Sequence, residues 1–221
     1  MKTPDAGSRA MRHPWFEIPI ADYEAHMALP SVGQAQLLGT ALQRTVAQFQ
    51  PRSLAVLGVA GGNGFESVDR DMVRRVVALD FNPDYLALCS RRYAASFTEF
   101  EPVLHDLSQG PPGIAPVECV FAGLVLEYLC VESFCGYLAS LLTTGGGFAA
   151  LLQLPSPTVP EVSPSPFTSL TRLESAFSFV DLASLQDCLS AQGFSQIVGD
   201  RYDLDSGKSF YYASYQATNA A

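Results

Sequence analysis

Hydrophobic positions along the chain fall into two alternating patterns. Over residues 33–49, Leu37, Leu38, Ala41, Leu42, Thr45, Val46 and Phe49 recur at helical spacing, and Pro51 ends the helix. Ser53 to Val59 is then a continuous apolar run of strand length, closed by Ala60-Gly61-Gly62-Asn63-Gly64, a turn suited to small residues. A short helix carrying Val68 and Met72 is expected next. Val76 to Leu79 predicts a second buried strand ending at Asp80, and Asn82-Pro83 opens an amphipathic helix with Tyr85, Leu86, Cys89 and Tyr93.

Further along, Val103 to His105 predicts a short third strand ending at Asp106, followed by a loop rich in Gly and Pro. Cys119 to Val125 predicts a fourth strand, Phe134 to Leu142 a helix, and Phe148 to Leu154 a fifth strand after Gly145 to Gly147. Five prolines between Pro155 and Pro166 exclude helix and strand, so 155–170 is a loop or lid. Asp181 caps a helix through Leu189 that Gly193 closes, and Phe194 to Leu204 and Phe210 to Tyr215 flank the turn Asp205-Ser206-Gly207. Strands joined by so tight a turn are antiparallel. Strands apolar on both faces, alternating with helices, predict an α/β fold: a Rossmann-like, doubly wound, mostly parallel sheet with one antiparallel C-terminal strand.

At 221 residues, with 48% hydrophobic and 16% charged side chains, one domain over 1–221 is expected, with 1–32 as an N-terminal lid or cap. The net charge of -9, without a basic stripe, argues against nucleic acid and acidic membranes and favours a small neutral or cationic partner. Five cysteines without a CxxC pair suit reduced thiols in the cytoplasm, and no metal site is expected. Met1 to Pro14 carries no apolar signal core. Ser133 to Pro160 is free of charge for long enough to span a bilayer, but its threonines and glycines favour a buried helix, a turn and a strand. The sequence is compatible with a homo-oligomer and shows no marked seam for one.

In an open parallel sheet, ligands bind beyond the carboxyl ends of the strands. Four features fall there: the glycine turn, Asp80, Asp106, and the segment Gly123 to Tyr128. A carboxylate at Asp80 suits a ribose diol, and Asp106 an adenine amino group, although either can instead cap the next helix.

Together, Val56 to Gly64, Val77 to Pro83, His105-Asp106-Leu107 and Gly193-Phe194 with its terminal hairpin resemble the class I S-adenosylmethionine-dependent methyltransferases over residues 35–217. The resemblance implies S-adenosylmethionine as cofactor, S-adenosylhomocysteine as product and a small molecule as methyl acceptor. It implies cofactor contacts at Gly58, Ala60, Gly62, Gly64, Asp80, Phe81, Asp106, Leu107, Gly123 and Leu124. Two departures stand out: the family usually carries an acid where this chain has Gly58, and a glycine where it has Ala60.

In-line methyl transfer chiefly requires desolvation and alignment, so a base is optional. Glu127, His26 and Tyr128 are the candidates, with His13 and His105 behind them. Trp15, Phe16, Tyr23, His26, Glu127 and Tyr128 are the expected substrate-side residues, and the N-terminal aromatics form either a lid or a helix packed on the sheet edge. Two rivals stand beside this reading. A catalytically inactive relative would explain Gly58, and an NAD(P)-dependent oxidoreductase would share the glycine turn but places Ser67 where its third glycine belongs.

Overall fold

Strand β1 (Ser53–Leu57) shows how the sheet is sandwiched: Leu54 and Val56 enter one apolar cluster, whereas Ala55 and Leu57 enter the other. Successive strand side chains point to opposite faces, so a strand apolar at every position must be covered on both. A computed structural model of the chain, describing residues 13–218, supplies that cover. One face carries α2 (Gln34–Phe49) and α3 (Pro83–Tyr93); the other carries α4 (Val131–Leu138) and α5 (Leu182–Ala191).

The remaining strands are β2 (Arg75–Asp80), β3 (Glu99–Leu104), β4 (Val117–Gly123), β5 (Leu142–Leu154), β6 (Phe194–Asp203) and β7 (Ser209–Ala217). They form one seven-stranded sheet in the order β3-β2-β1-β4-β5-β7-β6. All pairings from β3 to β5 are parallel, and β7 runs antiparallel to both β5 and β6. The fold is therefore the expected Rossmann-like one with a reversed C-terminal strand. Strand order reverses at β1, between β2 and β4, which makes the carboxyl ends of these strands the place for a ligand.

Several boundaries move for physical reasons. The first half of β3 is longer than predicted because Glu99 and Glu101 sit on an edge strand, where Arg75 of β2 pairs with both. The helix expected after the glycine turn shrinks to a 3-10 turn, Phe65–Ser67. The glycines 145–147 do not precede β5 but lie within it, where the pairing with β4 shifts register. This strand and α4 occupy the uncharged stretch 133–160, and among the described residues no helix is long and apolar enough to cross a membrane.

The N-terminal segment contributes a 3-10 turn, Pro14–Phe16, and α1 (Ile20–Ala28); residues 1–12 of the expected lid lie outside the described residues. It is fastened to α3 through Tyr85 OH donating to Ile18 O at 2.6 Å, Asn82 Nδ2 donating to Trp15 O at 3.0 Å, and the Glu24–Arg92 ion pair. The proline-rich loop ends in a 3-10 helix, Thr168–Ser175, that packs beside the N-terminal segment through Ile18, Leu170 and Leu173.

Candidate active site

At the end of β1 the chain must turn sharply, and Gly58 makes the turn at φ +66° while its N–H donates to Leu79 O at 2.8 Å. No side chain fits there: a Cβ would stand 2.1 Å from Val125 Cγ2. Val125 thus occupies the space into which an acidic residue would have to be built. The backbone of Gly58 and the methyl of Ala60 are left facing a cavity of about 670 Å³ at the carboxyl ends of the strands. That volume lies within the usual range of small-molecule and cofactor sites, about 300–1,000 Å³.

Asp80, at the end of β2, lines the same cavity and is 5% exposed. One carboxylate oxygen accepts from Ala60 N at 2.8 Å and the other from Asn82 N at 2.8 Å. These bonds tie the glycine turn to the start of α3. Burial pushes its pKa up to about 6, against the backbone N–H groups that favour the anion. A carboxylate has about four acceptor sites, so capacity toward the cavity remains after the two bonds.

Asp106 follows β3, caps the turn Leu107–Gln109 by accepting from Ser108 N at 2.9 Å, and also faces the cavity. Partial burial works against its anion, but bonds from Ser108 and Gln109 and the nearby His13 outweigh this and hold its pKa below the ordinary value. Asp106 thus caps its turn, whereas α3 is capped by Asn82 and not by Asp80, and both carboxylates line the cavity. Phe81 forms a wall where His13 and Phe16 meet it edge-on, with centroids at 5.2 and 5.0 Å. Leu107, Gly123 and Leu124 also line it, Leu124 in the left-handed region at φ +58°.

Gly62 and Gly64 do not reach this cavity. They border a separate hollow of about 340 Å³ with Arg92 and Tyr93; a Cβ on Gly62 would meet the Tyr93 ring at 2.3 Å, and one on Gly64 would meet the Gly39 backbone at 3.1 Å. Their smallness serves close packing of the turn against α2 and α3.

Trp15, Tyr23, Leu124 and Tyr128 form a wall shared with a second, smaller chamber of about 50 Å³. Trp15 holds Tyr23, Tyr85 and Tyr128 edge-on around it, at centroid distances of 5.3, 6.3 and 5.5 Å. Phe16 belongs to the large cavity. His26 belongs to the small chamber; its Nδ1 lies 2.9 Å from Ser165 Oγ in the proline-rich loop, and burial with the nearby Lys208 charge lowers its pKa. Tyr128 faces both spaces, and burial raises its phenol pKa.

Glu127 faces neither. It is 1% exposed, its Oε1 accepts from Gln153 N at 2.8 Å, and its Oε2 has no partner among the described residues. Burial pushes its pKa up to about 7. His105 lies just beyond β3 on the cavity wall, its Nε2 2.8 Å from Gly110 O.

Tyr85, read in the sequence only as a helix position, and Leu129 and Lys208 are not among the expected site residues. Tyr85 and Leu129 line the large cavity and Lys208 the small one. For Lys208 a signal existed, since it is one of only two lysines and stands at the mouth of an apolar strand.

No protein-family profile matches this sequence, and no curated protein is similar to it. Solved structures are similar in fold. The N-methyltransferase NodS from Bradyrhizobium japonicum, in complex with S-adenosylhomocysteine, superimposes with TM-score 0.60 and 13% identity, covering 96% of this chain and 94% of that one. The magnesium protoporphyrin IX methyltransferase ChlM from Synechocystis, also with bound S-adenosylhomocysteine, gives 0.65 and 11%, covering 90% and 94%. The CcbJ methyltransferase from Streptomyces caelestis gives 0.61 and 16%, covering 81% and 95%. At such identities the likeness establishes the fold, that of the class I S-adenosylmethionine-dependent methyltransferases.

Proposed function

We propose that this protein binds S-adenosylmethionine in the 670 Å³ cavity and transfers its methyl group to a small molecule reached through the wall of Trp15, Tyr23 and Tyr128. The observation that carries the reading is convergence: Gly58, Ala60, Asp80 and Asp106, distant in sequence, border one cavity at the strand-order reversal. The bound cofactor supplies an electrophilic methyl on a sulfonium. Asp80 holds the ribose hydroxyls with the acceptor capacity its two backbone bonds leave. Asp106 accepts from the adenine amino group, Phe81 and Leu107 flank the base, and Gly58, Gly123 and Leu124 line the amino-acid end.

The chain's own task is then to exclude water and align two reactants, which the aromatic wall and the fastened N-terminal segment serve. His26, neutral near pH 7 because burial and Lys208 lower its pKa, is the titratable group best placed to take a proton from an acceptor in the small chamber. Glu127 is turned away from both spaces and is not used as a base. Free thiols at all five cysteines accord with a cytoplasmic setting.

A second reading rests on Gly58 and Val125, which replace an acidic cofactor contact with an apolar one: a relative that binds the cofactor without turning it over. Release of S-adenosylhomocysteine, followed over a panel of amines, phenols and carboxylic acids, separates the two. Acceptor-dependent release that Asp80→Asn abolishes supports the enzyme. Binding with no release over the whole panel supports the inactive relative.

A further inference from the structure

The small chamber contains a buried cation that, among the described residues, no carboxylate pairs with directly. Lys208 is 2% exposed at the hairpin end of β7, and its Nζ donates to Gln153 Oε1 at 3.2 Å and to Glu161 O at 2.7 Å. Both acceptors are neutral oxygens. An ammonium has three donors, so one is unused. Among the described residues Lys208 forms no ion pair; Glu161, the only acidic residue lining the chamber, is exposed, gives Lys208 its backbone carbonyl and favours the ammonium through its charge without pairing with it.

Burying a charge without a counter-charge is costly, and a fold retains such a charge most readily where a ligand completes it. Burial lowers the lysine pKa to about 8, which still leaves the ammonium charged near pH 7. His26 stands close enough for the Lys208 charge, after burial, to lower its pKa, so the ammonium is felt inside the chamber although the whole chain carries -9. At about 50 Å³ the chamber holds on the order of three or four waters, the room of one small polar group rather than of a whole substrate. It shares the wall of Trp15, Tyr23, Leu124 and Tyr128 with the large cavity.

We infer that the methyl acceptor carries a carboxylate, which seats in the small chamber on Lys208 Nζ while the rest of the molecule lies along Trp15 and Tyr128. This rests on the methyltransferase reading for the word acceptor, and it replaces the neutral or cationic partner that net charge alone suggests. A carboxylate is favoured over a phosphate because the chamber offers one free ammonium donor and little volume, whereas a dianion needs several donors.

Calorimetric titration of protein loaded with S-adenosylhomocysteine, using benzoate, benzamide and phenyl phosphate as probes, tests this. Benzoate binds at least about tenfold more tightly than benzamide, and Lys208→Met, which keeps the apolar stem, brings the two within about twofold without changing S-adenosylhomocysteine affinity. Equal binding of benzoate and benzamide, a preference that survives Lys208→Met, absence of benzoate binding, or tighter binding of phenyl phosphate overturns the inference. If Lys208→Met does not fold, the ratio on the unmodified protein decides alone. The two readings fail separately: protein that holds S-adenosylhomocysteine but ignores benzoate sinks only the carboxylate site, and protein that prefers benzoate but never binds S-adenosylhomocysteine sinks only the cofactor site.

Discussion

Replacing Glu127 with glutamine should make the protein more stable in mild alkali while changing little in mild acid. Glu127 is fully enclosed, one oxygen accepts from Gln153 N, and the other has no partner among the described residues. Burial disfavours its anion and lifts its pKa from the ordinary 4.5 to about 7. A carboxyl raised on folding contributes stability that is complete below its unfolded pKa of about 4.5 and is lost as pH rises through about 7. Between about pH 5 and pH 8.5 the native protein therefore loses roughly 2–3 kcal/mol at this one site.

Glutamine retains the carbonyl that Gln153 N needs and cannot ionise. Its amide nitrogen enters a space without an acceptor, as the protonated acid's hydroxyl also does, so the two proteins stay close at pH 5. Thermal unfolding of both proteins, followed by circular dichroism across this pH range, reads the difference. At roughly 2–4 °C per kcal/mol for a chain of this size, the variant's midpoint gains about 5–10 °C on the native protein between the two pH values. Other shifted groups, Asp80 and Lys208 included, are common to both and cancel. Midpoints that run parallel across the range would refute the buried, acceptor-starved carboxyl described above.

Three further outcomes follow from the geometry. Gly58→Asp destabilises by roughly 2–5 kcal/mol, through positive φ and overlap with Val125 Cγ2, and adding Val125→Ala restores at least about 1 kcal/mol of it; strictly additive urea-unfolding energies would deny the overlap. Trp15→Ala weakens S-adenosylhomocysteine binding by about tenfold or more, because the ring borders the cavity and steadies three tyrosines; unchanged affinity would reduce the N-terminal segment to sheet-edge packing. Tyr85→Phe, which removes the bond to Ile18 O, loosens the same segment and speeds proteolysis between residues 13 and 33 without unfolding the sheet; identical cleavage rates would show that this bond does not hold it.

How far the sequence reveals this molecule depends on whether a residue's environment is local. Strands β1 and β2 stand out because both their faces are apolar, and the reversed β7 is legible because a three-residue turn forces antiparallel pairing. Half of β3 is hidden because an edge strand takes glutamates that an interior strand cannot. Asp80 and Asp106 can be placed at one rim from strand ends alone. The glycines cannot be sorted that way: Gly58 faces the cavity while Gly62 lies under Tyr93 and Gly64 against Gly39, a division set by how α2 and α3 dock. Glu127 and Tyr128 are neighbours in sequence, yet the turn after β4 sends one into the core and the other to the cavity. Lys208 gains its role only when the hairpin, β5 and the proline-rich loop meet around it, contacts between segments some 50 residues apart.

The most direct test of the whole reading is the heat of S-adenosylhomocysteine binding to the native chain and to Asp80→Asn. One molecule should bind per chain with micromolar affinity, weakened about tenfold or more by the substitution, while NADH gives no heat. Silence toward S-adenosylhomocysteine, or saturable binding of NADH in its place, would contradict it.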